Sequence, residues 1–110
     1  MPKSSTVKST ASIPNPEDMG KALQTLTALA NEQRLQILCL LAQDWEMTVG
    51  QLNEQLDLSQ SALSQHLKKL KDEGYVQSRK EGLNVYYRIG KDDVLRVLDL
   101  LHELYCKTES

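Results

Sequence analysis

The chain has 110 residues, a length that predicts one domain with one hydrophobic core. Its 13 Lys and Arg residues are outnumbered by 15 Asp and Glu residues, so the overall composition excludes a strongly basic nucleic-acid-binding protein. No apolar run is long enough for a secretion signal or a membrane-spanning helix, and we therefore expect a cytoplasmic protein.

The first 16 residues are rich in Ser, Thr, Lys and Pro and show no hydrophobic periodicity, which predicts a disordered arm. We expect the folded domain to cover residues 17–107. Its first helix is predicted at 17–28 and its second from an Asn31 cap to about residue 43. The apolar side of the first helix consists of Met19, Ala22, Leu23, Leu26 and Leu29.

Two further helices, separated by a short polar break, are predicted from residue 48 to residue 74. Thr48 and Gln51 have the spacing of a capping box, and Ser59 is a good N-cap for the second helix of the pair. The buried stripe of that second helix is Leu63, Leu67 and Leu70. Two helices joined by a tight turn predict a helix-turn-helix.

The opposite face of the second helix carries Ser61, Ser64, Gln65 and Lys68. Small hydroxyl and amide side chains can pair with base edges in the major groove, and Gln suits adenine. We therefore predict base contacts from Ser61, Ser64 and Gln65, and phosphate or groove-edge contacts from Gln60 and Lys68. The alternative is an ordinary amphipathic helix with a solvated polar face.

A β-hairpin is predicted next, with strands at 75–80 and 85–89. Cations and an amide near its turn predict DNA contacts from Arg79, Lys80 and Asn84. A purely structural hairpin is the alternative, and Glu81 in the turn favours it.

Positive charge is concentrated in this half of the chain. Residues 59–91 hold seven basic and three acidic residues, a net charge of +4, although the whole chain has a net charge of −2. The segment with the predicted reading helix and hairpin is therefore the basic one. The pattern predicts a mainly α protein with a two-stranded β wing, a winged helix-turn-helix with the order α-α-α-α-β-β-α, that binds double-stranded DNA.

The last helix, predicted at 92–106, has an apolar arc about twice as wide as one small core needs. A second buried surface is implied, and in a chain of this size we expect it to be a second subunit. The first and last helices would form this homodimer, which would place two reading helices about one DNA turn apart. The alternative is that the last helix covers the first helix within a monomer.

Two cysteines, Cys39 and Cys106, occur in the chain. Cys39 lies in an apolar run but on the polar side of its helix, and Cys106 lies at the edge of the last helix's apolar arc. Such boundary positions allow a thiol to be held and also reached by a reactant. Two inert thiols, or a metal site formed by Cys39, His102 and Cys106, are the alternatives. A packed core residue is the simpler interpretation of His102, and no nucleophile motif or acid–base constellation points to an enzyme.

Three segments carry a resemblance to ArsR/SmtB-type winged-helix repressors. They are ANEQRLQILCLL at 30–41, LSQSALSQHLKKLKDEGYV at 58–76 and VYYRI at 85–89. The resemblance implies a homodimer that binds operator DNA and releases it when an inducer binds, without a cofactor. The thiolate metal site of some members is missing, because the corresponding stretch reads Thr48-Val49-Gly50. Their zinc site is also missing, since the corresponding positions are Lys91, Asp93, Leu104 and Lys107.

Within that family the chain resembles the dithiol subgroup, the BigR, SqrR and HlyU-like regulators. Members carry one cysteine in the second helix, in a stretch like RLQILCLL, and one near the chain end, in a stretch like LLHELYC. The resemblance implies that Cys39 and Cys106 are a redox-sensing pair and that persulfides or other reactive sulfur species are the inducer. Bridging the pair would then release operator DNA.

Overall fold

The computed structural model describes residues 11–106. In chain order, its elements are α1 (Pro16–Leu29), α2 (Glu32–Asp44), β1 (Met47–Thr48), α3 (Val49–Gln55), α4 (Gln60–Asp72), β2 (Val76–Glu81), β3 (Asn84–Ile89) and α5 (Asp92–Tyr105). The winged helix-turn-helix is confirmed, with one strand more than predicted. Residues 1–10, most of the predicted arm, and Lys107, the predicted end of the domain, lie outside the described residues.

Side-chain caps fix where four of the helices begin. Asn15 and Asn31 each accept a hydrogen bond from the backbone three residues later, at 2.9 and 3.0 Å, and so start α1 and α2. Thr48 and Gln51 form both hydrogen bonds of the predicted capping box on α3. Ser59 caps α4 by accepting from the backbone N–H of Ala62 at 3.1 Å. α1 begins at Pro16, so the helix includes the last residue assigned to the predicted arm.

The three strands form one antiparallel sheet in the order β1-β3-β2. β2 and β3 are the predicted hairpin, and their register pairs Val76 with Ile89 and Glu81 with Asn84. The two-residue loop between them begins with Gly82 at φ 62°, a backbone conformation that glycine adopts without strain. The prediction of a two-stranded wing omitted β1, which pairs with β3 through only Met47 and Thr48. Two residues are too few for hydrophobic alternation to reveal a strand.

The core lies where α2, α3 and α4 meet the base of the sheet. The predicted stripe of α4 is confirmed, since Leu63, Leu67 and Leu70 are fully buried. Leu52 of α3 and Val76 of β2 are buried beside them. Burial of these side chains on one side of α4 leaves the other side of the helix facing solvent.

Helices α1 and α5 are covered on only part of their apolar surface. Val94 and Leu98 of α5 are buried in the core, whereas other apolar side chains of the two helices are exposed. These exposed residues, which we call the uncovered apolar face, are Leu23, Leu26, Leu100, Leu104 and Tyr105. α1 therefore does not cover the surplus apolar surface of α5 within one chain. Within residues 11–106, no helix is both long and apolar enough to cross a membrane.

Candidate DNA-reading surface and thiol pair

The turn between α3 and α4 is held by polar contacts that the sequence supplies locally. The side-chain amide of Asn53 donates to the backbone carbonyl of Leu58 at 2.8 Å, and Ser59 then starts α4. At its other end, α4 is followed by Gly74 at φ 84°, and the next N–H, that of Tyr75, donates to the carbonyl of Leu70 at 2.9 Å. Both ends of α4 are thus fixed, and the helix can present one defined face to a ligand.

The predicted base-reading residues lie together on the exposed face of α4. Ser61, Ser64 and Gln65 are all exposed. The hydroxyl of Ser61 shares a 3.4 Å hydrogen bond with that of Ser59. Within residues 11–106, the side chains of Ser64 and Gln65 make no hydrogen bond or ion pair with another residue. Their donors and acceptors are available to the edges of bases.

The predicted phosphate contacts of α4 border this face. Gln60 is exposed in the first turn, and Lys68 lies two turns further along, where it pairs with Asp72 at 3.0 Å. Both partners of that pair are largely exposed, and such pairs contribute only about 0–1 kcal/mol. Lys68 can therefore leave Asp72 for a DNA phosphate at little cost.

The wing, which we define as β2, β3 and their loop, contains one predicted contact that is engaged within the chain. Lys80 and Asn84 are exposed, as a DNA contact requires. The guanidinium of Arg79 instead donates to Glu46 at 2.9 Å through both Nε and Nη2, and to Glu81 at 2.7 Å through Nη1. It also lies 4.6 Å from the centre of the Tyr86 ring.

These contacts change the electrostatic role of Arg79. The hydrogen bonds from its guanidinium lower the pKa of the Glu46 carboxyl, and the two carboxylates raise the pKa of Arg79. Its charge is therefore largely compensated inside the protein. Lys80 is the wing cation left for DNA within the described residues, because Arg88 also faces Glu46, with a nitrogen 3.9 Å from a carboxylate oxygen.

Sequence reasoning missed the segment that binds Arg79. Trp45 follows α2 with φ 75° and ψ −58°, and the carbonyl of Asp44 accepts from the N–H of Glu46 at 2.8 Å, which together describe a classic γ-turn. Such a backbone is strained for a residue other than glycine. Trp45 is largely exposed, with the guanidinium of Arg88 5.6 Å from its ring centre. No local sequence signal distinguishes this turn from a simple end of α2.

Both cysteines are free and exposed. α2, which carries Cys39, packs against α5, and Cys106 caps the end of α5 with its N–H donating to the carbonyl of His102 at 2.9 Å. Partial burial raises the pKa of the Cys39 thiol above its ordinary 9.0, and the charge of Cys106 raises it further. The packing of α2 against α5 therefore places the two thiols on neighbouring elements of the fold.

In the part of the chain that the structure describes, the two histidines are not grouped with these thiols as metal ligands. Among residues 11–106, no three His, Cys, Asp or Glu side chains are grouped so that they could hold a metal ion. His102 is exposed, which corrects its interpretation as a packed core residue. His66 is half-buried beside the reading face, where its Nε2 lies 2.9 Å from the side-chain oxygen of Gln33.

Comparisons with known proteins agree with this architecture. The family described as "Bacterial regulatory protein, arsR family" matches residues 31–78, which span α2 to the first strand of the wing. The transcriptional activator HlyU of Vibrio cholerae is 50% identical over 91 residues, which cover 83% of each chain. The biofilm growth-associated repressor of Agrobacterium fabrum is 38% identical over 76% of this chain and 71% of its own.

A solved structure is similar over nearly all the described residues. The structure of reduced HlyU from Vibrio cholerae superposes with a TM-score of 0.78 at 49% identity, covering 83% of this chain and 95% of that one. A coverage of this size extends well beyond residues 31–78, the stretch that the family matches.

Proposed function

Because this chain belongs to the arsR family of bacterial regulatory proteins, we propose that it is a dimeric repressor that releases operator DNA when persulfide bridges Cys39 and Cys106. Family membership makes it a transcription regulator and not an enzyme. We further propose that the dimer acts in the cytoplasm, that it represses transcription in the absence of the inducer, and that it binds DNA through the residues described below. The position of the two exposed thiols on neighbouring elements, α2 and the end of α5, is the observation that supports the sensing part of the proposal.

In the proposed complex, α4 enters the major groove. Gln65 contacts an adenine edge, and Ser61 and Ser64 contact neighbouring bases or phosphates. Gln60 and Lys68 bind the backbone that flanks the groove. All five side chains are exposed on one side of α4, which supports this arrangement.

The wing contacts the adjacent backbone through Lys80 and Asn84. We do not retain Arg79 as a DNA contact, since leaving Glu46 and Glu81 would break several short charged hydrogen bonds. Arg79 instead pairs with these two carboxylates of its own chain.

The uncovered apolar face supports the homodimer. Side chains such as Leu26 and Leu104 are more than half exposed, although they lie on helices that also contribute to the core. A second copy of the chain would cover the same face on both subunits, as a two-fold interface requires. The two reading helices would then lie on one side of the dimer and bind a two-fold-symmetric operator.

The proposed sensing reaction uses both thiols and one persulfide. The thiolate of one cysteine attacks the terminal sulfur of RSSH, forming a protein persulfide and releasing RSH. The other thiolate then attacks the protein-bound inner sulfur, which forms the disulfide and releases H₂S. The two thiols lose two electrons and two protons, and one persulfide is reduced to RSH and H₂S. A longer bridge would retain additional sulfur atoms.

Closing this bridge would tie α2 to the end of α5. Both helices contribute to the core, and α5 also carries much of the uncovered apolar face. A shift of α5 therefore changes the dimer interface and the separation of the two reading helices. Release of DNA follows from that change in separation, without any contact between inducer and DNA.

Treatment of the protein with glutathione persulfide, followed by mass spectrometry, tests the sensing step. We expect one peptide that links Cys39 to Cys106 within a single chain. Cys39→Ser and Cys106→Ser are the controls, since neither can form the link. Two free thiols after treatment, together with unchanged DNA affinity, would rule the proposal out.

A further inference from the structure

Glu46 contacts both strands of the wing from outside the hairpin. Its carboxylate accepts from Arg79 of β2 at 2.9 Å through two nitrogens, and one of its oxygens lies 3.9 Å from the guanidinium of Arg88 of β3. The Glu46 side chain is only 15% exposed, although both arginines are substantially exposed. A paired guanidinium and carboxylate with two hydrogen bonds restricts the orientation of both groups. We call this group of Glu46, Arg79 and Arg88 the wing clamp.

The chain on either side of Glu46 is fixed to the rest of the domain. Trp45 ends α2 in the strained γ-turn, while Met47 and Thr48 pair with the wing as β1. Thr48 is also the N-cap of α3. Glu46 is therefore a side chain at the junction of α2, the helix-turn-helix and the wing, and its backbone has little freedom to move.

We propose that Glu46 is a positioning residue for DNA binding, which holds the wing at a fixed angle to α4 through the wing clamp. The inference rests on the proposed function in one respect, namely that the wing contacts DNA. Lys80, between Arg79 and Glu81 on β2, is the side chain whose position the clamp controls. Without the clamp, β2 and β3 would stay paired with each other, but the hairpin that they form would pivot about its base.

Electrostatics alone predicts the opposite effect of removing Glu46. A carboxylate near a DNA-binding surface repels phosphates, so its neutralisation should strengthen binding to DNA. A positioning role predicts weaker binding, because the wing no longer presents its backbone contacts at the correct angle. The sign of the change in affinity therefore distinguishes the two explanations.

Glu46→Gln tests the inference, and Glu54→Gln is its matched control. Glu54 lies in the same shallow surface depression as Glu46, is exposed, and makes no ion pair with another residue of the described range 11–106. Both substitutions remove one negative charge at nearly the same place. The DNA probe is the duplex that the reduced wild-type protein selects from a random-sequence library.

For Glu46→Gln we expect roughly three- to tenfold weaker binding than for the wild type, since loosening the wing forfeits part of a charged hydrogen bond to phosphate. Glu54→Gln should bind as the wild type does, or more tightly. Amide hydrogen exchange of residues 76–89 should be faster than in the wild type for Glu46→Gln but not for Glu54→Gln. The fluorescence emission of Trp45, the single tryptophan of the chain, should also change in Glu46→Gln, because Arg88 lies beside both Glu46 and the Trp45 ring.

Each readout can overturn the inference separately. Unchanged exchange and emission in Glu46→Gln would show that there is no clamp. Faster exchange with unchanged or tighter DNA binding would show that the clamp does not position the wing for DNA. If the wild type selects no duplex, the proposed DNA binding fails, while exchange and emission still report whether Glu46 holds the wing.

Discussion

Truncation of two exposed leucines tests whether α1 and α5 form a dimer interface. Leu26 and Leu104 are each 57% exposed in the single chain, so somewhat more than half of each side chain is available for burial by a second copy. Leu→Ala removes three carbons. At about 0.8 kcal/mol for each buried carbon, full burial of the three is worth about 2.4 kcal/mol. Burial of the exposed half by the partner is then worth about 1.2 kcal/mol per side chain.

The double variant Leu26→Ala/Leu104→Ala removes four such side chains from each dimer. The expected loss is about 5 kcal/mol, which corresponds to a roughly thousandfold or greater increase in the dimer dissociation constant. Sedimentation equilibrium over a dilution series measures that constant. Leu83→Ala is the control, because Leu83 is 99% exposed at the tip of the wing and outside the proposed interface. Equal dissociation constants for the double variant and the wild type would refute the assignment of this face to the dimer.

Three further predictions concern the reading helix and the thiols. Gln65→Ala should cost about 1–3 kcal/mol and relax preference at one base position, whereas Lys68→Ala should weaken binding to all sequences alike, as measured by selection and titration. Cys106→Ser should speed alkylation of Cys39 at alkaline pH, because it removes the thiolate charge that raises the pKa of Cys39; equal rates would contradict the proposed proximity of the thiols. Burial, together with the charges of Arg34 and Lys69, lowers the pKa of His66 in the folded protein below 6.5. The neutral imidazole therefore stabilises the fold fully above pH 6.5, and this stabilisation is lost as the pH falls through the pKa of the folded state. The melting temperature should therefore be lower at about pH 5.5 than at about pH 7.5, and this difference should be smaller in His66→Gln.

The parts of the fold that could be predicted from sequence are those governed by local interactions. Ser59 and the Thr48–Gln51 box start their helices because side chain and backbone partner are only three residues apart. Leu63, Leu67 and Leu70 are buried because their spacing places them on one side of α4.

The features that escaped prediction depend on residues distant in sequence. The sequence predicts a DNA contact for Arg79 because nothing near it reveals Glu46, which lies 33 residues away along the chain. β1 is two residues long and exists only because β3 is beside it. Trp45 adopts a positive φ that its residue type disfavours, so local preference predicts the wrong backbone there.

The site was predictable to a similar degree and for the same reasons. The exposure of Ser64 and Gln65 follows from helical periodicity and is confirmed as geometry, while their contacts with bases stay a prediction. That Cys39 and Cys106 lie on neighbouring elements depends on the packing of α2 against α5, a tertiary contact that no spacing along the chain encodes.

The measurement that tests the account most directly is the affinity of the reduced and the persulfide-treated protein for the same selected duplex, with the product identified by mass. We expect the treated wild type to carry a link between Cys39 and Cys106 and to bind at least about fivefold more weakly, within the range usual for coupled sites. The Cys39→Ser/Cys106→Ser variant should bind equally well before and after treatment. A wild-type protein that carries the link and still binds the duplex with unchanged affinity would contradict the account.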